Sequence, residues 1–258
     1  MVHLGAGELV LLGGAGLLAG GVNAVAGAVN AVAGGGSLIS FPALLAVGYP
    51  SVPANVTNNV ALLPGYVGGT LAYRDELSGQ GRRARMLSAT GAVGGLIGAI
   101  LLDVSPPGVF EAIVPFLILL SCGLLVAQPA ASRAVERGGH QGRPSLVHAG
   151  VFLSAVYGGY FGAGLGIMLL AALGAFLPDD MQRLNALKGL LSLVISAAAV
   201  VYFAFFAPVV WAAAAVMAVT SLAGGQLGVR LARRLSATAL RWVVVAFGTG
   251  VAIVLLVT

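Results

Sequence analysis

Charged side chains are scarce in this sequence. Only 8% of its 258 residues are Asp, Glu, Lys or Arg, whereas 59% are hydrophobic and the mean hydropathy is +1.02. A soluble domain carries about 25% charged residues. The apolar excess therefore excludes a soluble globular protein and predicts that lipid is the solvent over most of the surface.

Residues that form disulfides, bind metals or hydrolyse substrates are equally few. The single cysteine, Cys122, cannot form an internal disulfide, and we interpret it as a packing residue. The three histidines, at positions 3, 140 and 148, lack the spacing of a metal site. The chain also lacks the G-x-S-x-G, H-E-x-x-H and G-x-x-x-x-G-K-[ST] motifs. The sequence predicts no cofactor, no metal site and no enzymatic activity.

Carboxylates are absent from the middle of every long apolar run. All eight acidic residues fall in or beside predicted loops or near the N-terminus, which argues against a proton relay or an oxygen cage for a cation inside the membrane. Twelve of the thirteen Lys and Arg residues, all but Lys188, also lie between apolar runs. The net charge of +5 therefore indicates membrane topology and not a nucleic-acid partner.

The apolar residues form runs long enough to cross a bilayer, which requires about 20 residues in a helix. We expect the first run to be retained as a membrane helix, because no basic signal-peptide region precedes it. Two shorter apolar segments, 37–47 and 167–177, each follow a cluster of glycines. The longer runs are 9–33, 56–73, 86–102, 109–127, 146–163, 184–206, 209–229 and 242–257.

The second half of the chain repeats residues of the first half at an offset of 130. The matches are Gly34 and Gly36 with Gly164 and Gly166, Asn55 with Asn185, and Gly94, Gly95 and Gly98 with Gly224, Gly225 and Gly228. Three matches at one offset predict two structural repeats. We interpret the two glycine triplets as close contacts between helices, where small residues let membrane helices approach.

Basic residues distinguish equivalent loops of the two repeats. The loop at 74–85 carries four arginines, whereas the equivalent stretch 204–215 has no Lys or Arg. The loop at 103–110 has no basic residue, whereas its counterpart region has four arginines. Cytoplasmic loops collect Lys and Arg, so equivalent loops are expected on opposite sides of the membrane. An inverted repeat with an odd number of crossings per half has this property.

These patterns predict an all-α integral membrane protein of about ten transmembrane segments, arranged as two inverted five-helix repeats with short broken helices near the midplane. The repeats cover 1–128 and 146–258, and a cytoplasmic linker at 129–145 joins them into one membrane domain. The chain is expected in the inner membrane with both termini outside. Eight crossings, with the short segments re-entering, are the alternative.

Glycines precede both short segments, as Gly34-Gly35-Gly36-Ser37 and as the cluster 162–166. In transporters built from inverted repeats, broken helices near the midplane form the binding site. Glycine lets the backbone approach a ligand closely, and a helix that starts there directs N–H groups and partial positive charge at the break. We expect the two helix starts to form an anion site, with helix packing as the alternative.

Polar residues open the third segment of each repeat: Asn55, Thr57, Asn58 and Asn59 in the first, and Asn185 and Lys188 in the second. Such groups are costly in hydrocarbon unless they face a partner or a cavity. Amide and hydroxyl groups can donate hydrogen bonds to an oxyanion, and Lys188 can supply a positive charge. The alternatives are helix capping or interhelical bonding for Asn and Thr, and snorkelling for Lys188.

The order of these motifs resembles the sulfite exporter TauE/SafE family, also called the toluene sulfonate uptake permeases. The segments that carry the resemblance are GGGSLISFP at 34–42, PANVTN at 53–58, AYR at 72–74, GAG at 162–164, NALK at 185–188 and GGQLG at 224–228. The resemblance covers the chain from about Gly13 to Leu255. At Ser196 the chain departs from the asparagine expected in the family pattern.

The resemblance implies a secondary transporter that moves sulfite or small organosulfonates, often outward. The anion-binding positions it implies are Gly34–Gly36, Gly164–Gly166, Asn55, Thr57, Asn58 and Lys188. The expected partners are a small anion and the lipid bilayer, and a homodimer is possible. Two other classes stay open, a membrane subunit that positions a soluble partner on its arginine-rich loops and a permease for another small ion.

Overall fold

The computed structural model describes residues 36–106, 108–136, 144–219 and 237–257, and in these ranges the structure is helical, without strands. A 3₁₀ turn at Asp75–Leu77 separates α2 from α3. The first predicted span and residues 220–236 lie outside the described part. The helices are α1 (Ser37–Ala46), α2 (Ser51–Ala72), α3 (Gly81–Val104), α4 (Val109–Glu136), α5 (Pro144–Tyr160), α6 (Leu165–Phe176), α7 (Met181–Phe206), α8 (211–219 in the described part) and α9 (Ala237–Val257).

Three of these helices, α3, α4 and α7, are long and apolar enough to cross a membrane. The outward face of α3 carries exposed apolar side chains seven residues apart, at Met86, Val93 and Ile100. Seven residues are nearly two helical turns, so these side chains form one stripe. A contiguous exposed apolar surface is unfavourable in water, and the helices are those of a multi-pass membrane protein.

The helix α4 is longer than the sequence predicts. Its apolar run ends before Pro129, but the helix passes through this proline and continues to Glu136. Proline is tolerated inside membrane helices when neighbouring groups satisfy the freed backbone carbonyl. Part of the predicted linker at 129–145 is therefore helical.

Equivalent helices in the two halves of the chain begin 130 residues apart. Helix α2 begins at Ser51 and α7 at Met181, and α3 begins at Gly81 and α8 at residue 211. A short helix precedes α2 and another precedes α7, as the glycine clusters predict. The described part of the chain therefore contains two sets of helices in the same order.

The equivalent helices α2 and α7 pack against each other in antiparallel directions. Their contacts run from Thr70 to Gly189 and from Tyr66 to Ser196, and Thr57 contacts Val210 just after the end of α7. Residue numbers fall along α2 as they rise along α7, which defines the antiparallel arrangement. Tyr66 and Ser196 are themselves 130 residues apart, so an equivalent pair of positions meets at the centre of this helix pair.

Glycines bring α3 into backbone contact with α5. A Cβ atom on Gly98 would lie 2.1 Å from the carbonyl oxygen of Val156, and one on Gly159 would lie 2.0 Å from that of Gly95. Neither position has room for a side chain. The packing role predicted for the first glycine triplet therefore agrees with the structure, and its counterpart at 224–228 lies outside the described residues.

The predicted packing role of Cys122 also agrees with its position. Its side chain is buried between α4 and α9, where a Cβ atom on Gly248 would lie 2.8 Å from its Sγ atom. The contact between α4 and α9 leaves no space for a larger residue at position 248.

Candidate functional site

The chain breaks between α5 and α6, at the second glycine cluster. Gly162 and Gly164 have φ angles of +86° and +80°, in the left-handed region that favours glycine. The Ala163 carbonyl between them accepts hydrogen bonds from Ser121 Oγ at 2.9 Å and from the Tyr157 hydroxyl at 2.7 Å. These two hydroxyls hold the interrupted backbone from α4 and from α5.

Two asparagines of α2 contact the same break, one through a hydrogen bond to it and one through close packing. Asn55 Nδ2 donates to the Tyr160 carbonyl at 2.9 Å, and Asn59 Nδ2 donates to the Asn55 carbonyl at 3.0 Å. A Cβ atom on Gly162 would lie 2.7 Å from Asn59 Oδ1, so glycine is required there for space as well as for φ. Asn55 Oδ1 is buried and has no hydrogen-bond partner in the structure as described.

The start of α1 lies beside this group. Ser40 Oγ lies 2.5 Å from Asn58 Oδ1 and 3.1 Å from the Gly36 carbonyl, so its hydroxyl connects the first turn of α1 to the third turn of α2. The Phe41 ring of α1 packs edge-on against Phe161 in the break, with centroids 5.4 Å apart. We call Ser40, Asn55, Asn58 and Asn59 the asparagine cluster.

A second polar group surrounds Lys188 on α7. Lys188 Nζ donates to Asn185 Oδ1 at 3.0 Å, and a Cβ atom on Gly166 would lie 3.8 Å from Lys188 Cδ. The ion pairs among the described residues are Arg74–Asp75, Arg83–Asp179 and Arg183–Asp179, so no described carboxylate pairs with this ammonium. We call Gly166, Asn185 and Lys188 the lysine cluster.

The lysine cluster lies at the positive end of a helix. Gly166 belongs to the first turn of α6, where the N–H groups of the helix start and its partial positive charge add to the charge of Lys188. Glycine at this position leaves space beside the lysine stem. The region combines the charge of Lys188 with the partial positive charge of a helix start.

The two clusters meet the same break from different turns of the helix pair, at Gly162 and at Gly166. The single site predicted from the sequence stays a prediction. Asn58 lies on an early turn of α2, whereas Lys188 lies on the turn of α7 that contacts Thr70. From Asn58 to Thr70 the α2 helix rises about 18 Å, at about 1.5 Å per residue. Because α2 and α7 are antiparallel, residues 130 apart such as Asn58 and Lys188 are placed toward opposite ends of the helix pair.

Other predicted site residues have structural contacts or lie elsewhere. Thr57 Oγ1 accepts a hydrogen bond from the Val210 amide at 3.0 Å and so satisfies a backbone donor just before α8. Ser37 is buried in the first turn of α1. Gly36 precedes it with a helical φ of −56° and not the left-handed φ of Gly164. Gly34 and Gly35 lie outside the described residues.

Sequence reasoning did not identify Ser121 and Tyr157, which hold the break. Ser121 offers a signal, because a fully buried hydroxyl in an apolar segment needs a partner. Tyr157 offers none, since nothing in its sequence context separates it from a lipid-facing tyrosine. Only the fold shows that both hydroxyls converge on one carbonyl.

A network of charged groups ties the loop after α2 to the loop before α7. Arg83 contacts both the Asp179 carboxylate and Gln80 Oε1. Arg183 Nε lies 3.1 Å from Asp179 Oδ1, and its guanidinium donates to the Ser78 carbonyl at 3.3 Å. Partial burial disfavours the charged form of Asp179, but hydrogen bonds from Arg83 and the Asp180 amide and the charges of both arginines outweigh it. The pKa of Asp179 is therefore held below its usual value.

We expect Asp179→Asn to lower the free energy of unfolding by about 1–3 kcal/mol at pH 7, because it leaves Arg83 and Arg183 without their shared counter-charge. A carboxyl whose pKa is lowered by folding stabilises the folded state above its unfolded pKa of about 3.9 and loses this contribution in acid. Thermal unfolding of purified protein should therefore show a difference from wild type that is constant above pH ~5 and shrinks below pH ~4.

The neighbouring Asp180→Asn is the matched control for this prediction. Asp180 caps α7 by accepting a hydrogen bond from the Gln182 amide, and asparagine caps a helix about as well. Its effect should stay within about 0.5 kcal/mol. Equal melting temperatures for the two variants would contradict the assigned network.

Apolar spans, a helix interrupted inside the protein and unpaired polar groups beside the interruption are features of a multi-pass membrane transporter. The model of the family described as sulfite exporter TauE/SafE matches residues 15–255, and the chain belongs to this family.

Curated relatives match over most of their length. The chain is 27% identical to a probable membrane transporter protein of Sinorhizobium, ORF9, over 86% of this chain and 85% of the relative. It is 26% identical to one of Haemophilus influenzae, over 82% of each chain, and 25% identical to YfcA of Escherichia coli, over 76% and 73%. No solved structure matches the chain. The family and these relatives establish a membrane transporter and not an enzyme.

Proposed function

We propose that the chain is a secondary transporter that exports a small sulfur-containing anion, sulfite or a small organosulfonate, across the inner membrane by alternating access. The lysine cluster is the observation that carries this proposal. An ammonium within a membrane helix is costly, up to about 2.5–3.5 kcal/mol at the helix centre on insertion scales. Lys188 has an amide oxygen, but no described carboxylate, to offset this cost.

A bound oxyanion would compensate the charge of Lys188. The Leu165, Ile167 and Met168 amides bond carbonyls of the break. The ammonium, the Asn185 amide and the Gly166 amide would supply donors, and Gly166 would let the anion approach the backbone. A divalent cation would instead meet repulsion from the ammonium and from the helix start. The sign of the charge therefore favours an anion as cargo.

The antiparallel pair α2 and α7 supports the inverted arrangement of ten segments. Two repeats related by an axis in the membrane plane place their equivalent helices in opposite directions. The asparagine and lysine clusters would then be two equivalent half-sites on either side of the Tyr66–Ser196 contact. Rocking of one repeat against the other would expose each half-site to one side of the membrane in turn.

This topology predicts that Ser78→Cys and Pro208→Cys, each introduced into Cys122→Ala, are labelled from opposite sides of the membrane. Both positions are exposed, and they follow α2 and α7 at equivalent places. Ser78 is preferable to Gly79, whose φ of +76° disfavours a side chain. A membrane-impermeant maleimide on intact cells should label residue 208 and leave residue 78 unlabelled until the cells are opened. Labelling of both from one side contradicts the inverted repeat.

The substrate is tested by thermal unfolding of purified protein with sulfite, sulfate, sulfoacetate and a panel of divalent cations. A ligand stabilises the folded state by about 2.7 kcal/mol at a hundredfold excess over its Kd. One sulfur oxyanion should raise the melting temperature, and the same anion should leave loaded proteoliposomes faster than protein-free liposomes. Stabilisation by cations alone would overturn an anionic cargo. Stabilisation by no solute, together with no anion efflux, would favour a membrane subunit that binds a soluble partner.

A further inference from the structure

A cavity of about 490 Å³ opens where the starts of α3 and α5 meet the end of α6. Its lining shares no residue with either polar cluster, so a ligand bound there is independent of the transported anion. Its polar rim contains Arg82, Arg83 and His148, and its apolar wall contains Leu87, Val147 and Phe176. A cationic rim above an apolar wall matches the two parts of an anionic amphiphile.

The rim has one guanidinium that is available to a ligand. Arg83 is held by Asp179 and Gln80, and His148 Nδ1 lies 2.7 Å from the Thr90 hydroxyl. Arg82 is exposed and has no ion-pair partner within the described ranges. The rim therefore keeps a net positive charge after its internal contacts are counted.

The cavity meets the face of the protein that contacts lipid. Met86 lines the cavity and is 51% exposed, and it is the first member of the apolar stripe that continues through Val93 and Ile100. An acyl chain lying along this stripe can enter beside Met86 without leaving an apolar surface. A soluble anion would gain nothing from the apolar wall.

We propose that this cavity binds an anionic phospholipid, with the phosphate at Arg82 and the proximal part of an acyl chain against the apolar wall. Basic pockets between helices at the end of a membrane span recognise lipid phosphate in this way. Each Lys or Arg near the membrane surface contributes about 1 kcal/mol to anionic lipid binding, which is about fivefold in affinity. Lipid occupancy would link α3, α5 and α6 at the end of the molecule that carries the Asp179 network.

The test is native mass spectrometry of delipidated full-length protein titrated with phosphatidylglycerol, or with phosphatidylcholine of the same acyl chains. We expect tighter binding of phosphatidylglycerol and a loss of about fivefold in Arg82→Gln. Arg85→Gln is the matched control, since it removes the same charge from the next turn of α3 but does not line the cavity. Equal losses in the two arginine variants would mean general attraction to a basic surface and would overturn the site.

A second pair of variants tests the apolar part without changing charge. Met86→Trp should fill the mouth of the cavity and weaken binding of both lipids, whereas Val93→Trp, on the same exposed stripe, should not. Unchanged binding in Met86→Trp would overturn the placement of the acyl chain. A third measurement adds millimolar inorganic phosphate to the complex with phosphatidylglycerol. Displacement of the lipid by phosphate would assign the rim to a soluble anion and overturn the lipid proposal.

Discussion

Replacing Lys188 with methionine is expected to abolish the stabilisation of the protein by its anion while leaving the unliganded protein at least as stable as wild type. Methionine keeps the apolar stem beside Gly166 and removes the ammonium. A hydrogen bond to a charged group contributes about 1.5–3 kcal/mol, so the Kd should rise at least about tenfold. Removing an uncompensated charge from a membrane helix should itself be favourable or neutral.

A loss of anion affinity without a loss of stability in Lys188→Met would distinguish a binding role for Lys188 from a structural role. If Lys188 served mainly to bond Asn185, Lys188→Met would lower the melting temperature of the unliganded protein. Lys188→Arg keeps the charge and should retain part of the anion response. A variant that loses stability but keeps its full response to the anion would contradict the lysine site, and Asn58→Ala measured alongside would show whether the other cluster contributes.

Replacing Gly159 with alanine is expected to prevent close packing of α3 and α5 and to cost about 3 kcal/mol or more. The added Cβ would lie 2.0 Å from the Gly95 carbonyl oxygen and 3.0 Å from the Ala99 amide nitrogen. Both obstacles are backbone atoms, so no change of rotamer can relieve them, and the helices must separate. Size-exclusion profiles and thermal unfolding of detergent-solubilised protein measure the effect.

Gly123→Ala is the matched control for this helix contact. Gly123 lies within α4, is exposed, and a Cβ atom built there meets nothing within 4 Å. The same change of residue in the same kind of element should therefore stabilise by about 0.5–1 kcal/mol, because alanine has less backbone entropy to lose. If Gly159→Ala behaves like Gly123→Ala, the backbone contact between α3 and α5 is wrong.

The helices themselves were largely predictable, because their signals are local. Long apolar runs can only be helices in lipid, where every backbone group needs a partner inside its own segment. The predicted segments 37–47 and 167–177 match α1 and α6 closely, since glycines mark where each begins. The end of α4 was missed because a proline that would end a helix in water is tolerated in a membrane protein.

The candidate site was predictable in composition but not in arrangement. The glycines, Asn55, Asn58, Asn185 and Lys188 could be selected from sequence because polar groups are costly in an apolar segment. Asn55 bonds the Tyr160 carbonyl, which lies 105 residues further along the chain, and Thr57 bonds the Val210 amide, which lies 153 residues further. No local pattern encodes such contacts.

The sequence by itself determined the solvent of this protein, the order of its helices and the family to which it belongs, since composition, run length and motif order are properties of the chain alone. The tertiary structure decided how the polar residues are grouped. Because α2 and α7 pack in antiparallel directions, the repeated polar residues form two clusters on different turns of the helix pair, and these clusters meet the same break at Gly162 and at Gly166. The stem of the Lys188 side chain thereby lies beside the start of α6, which no count of residues could show.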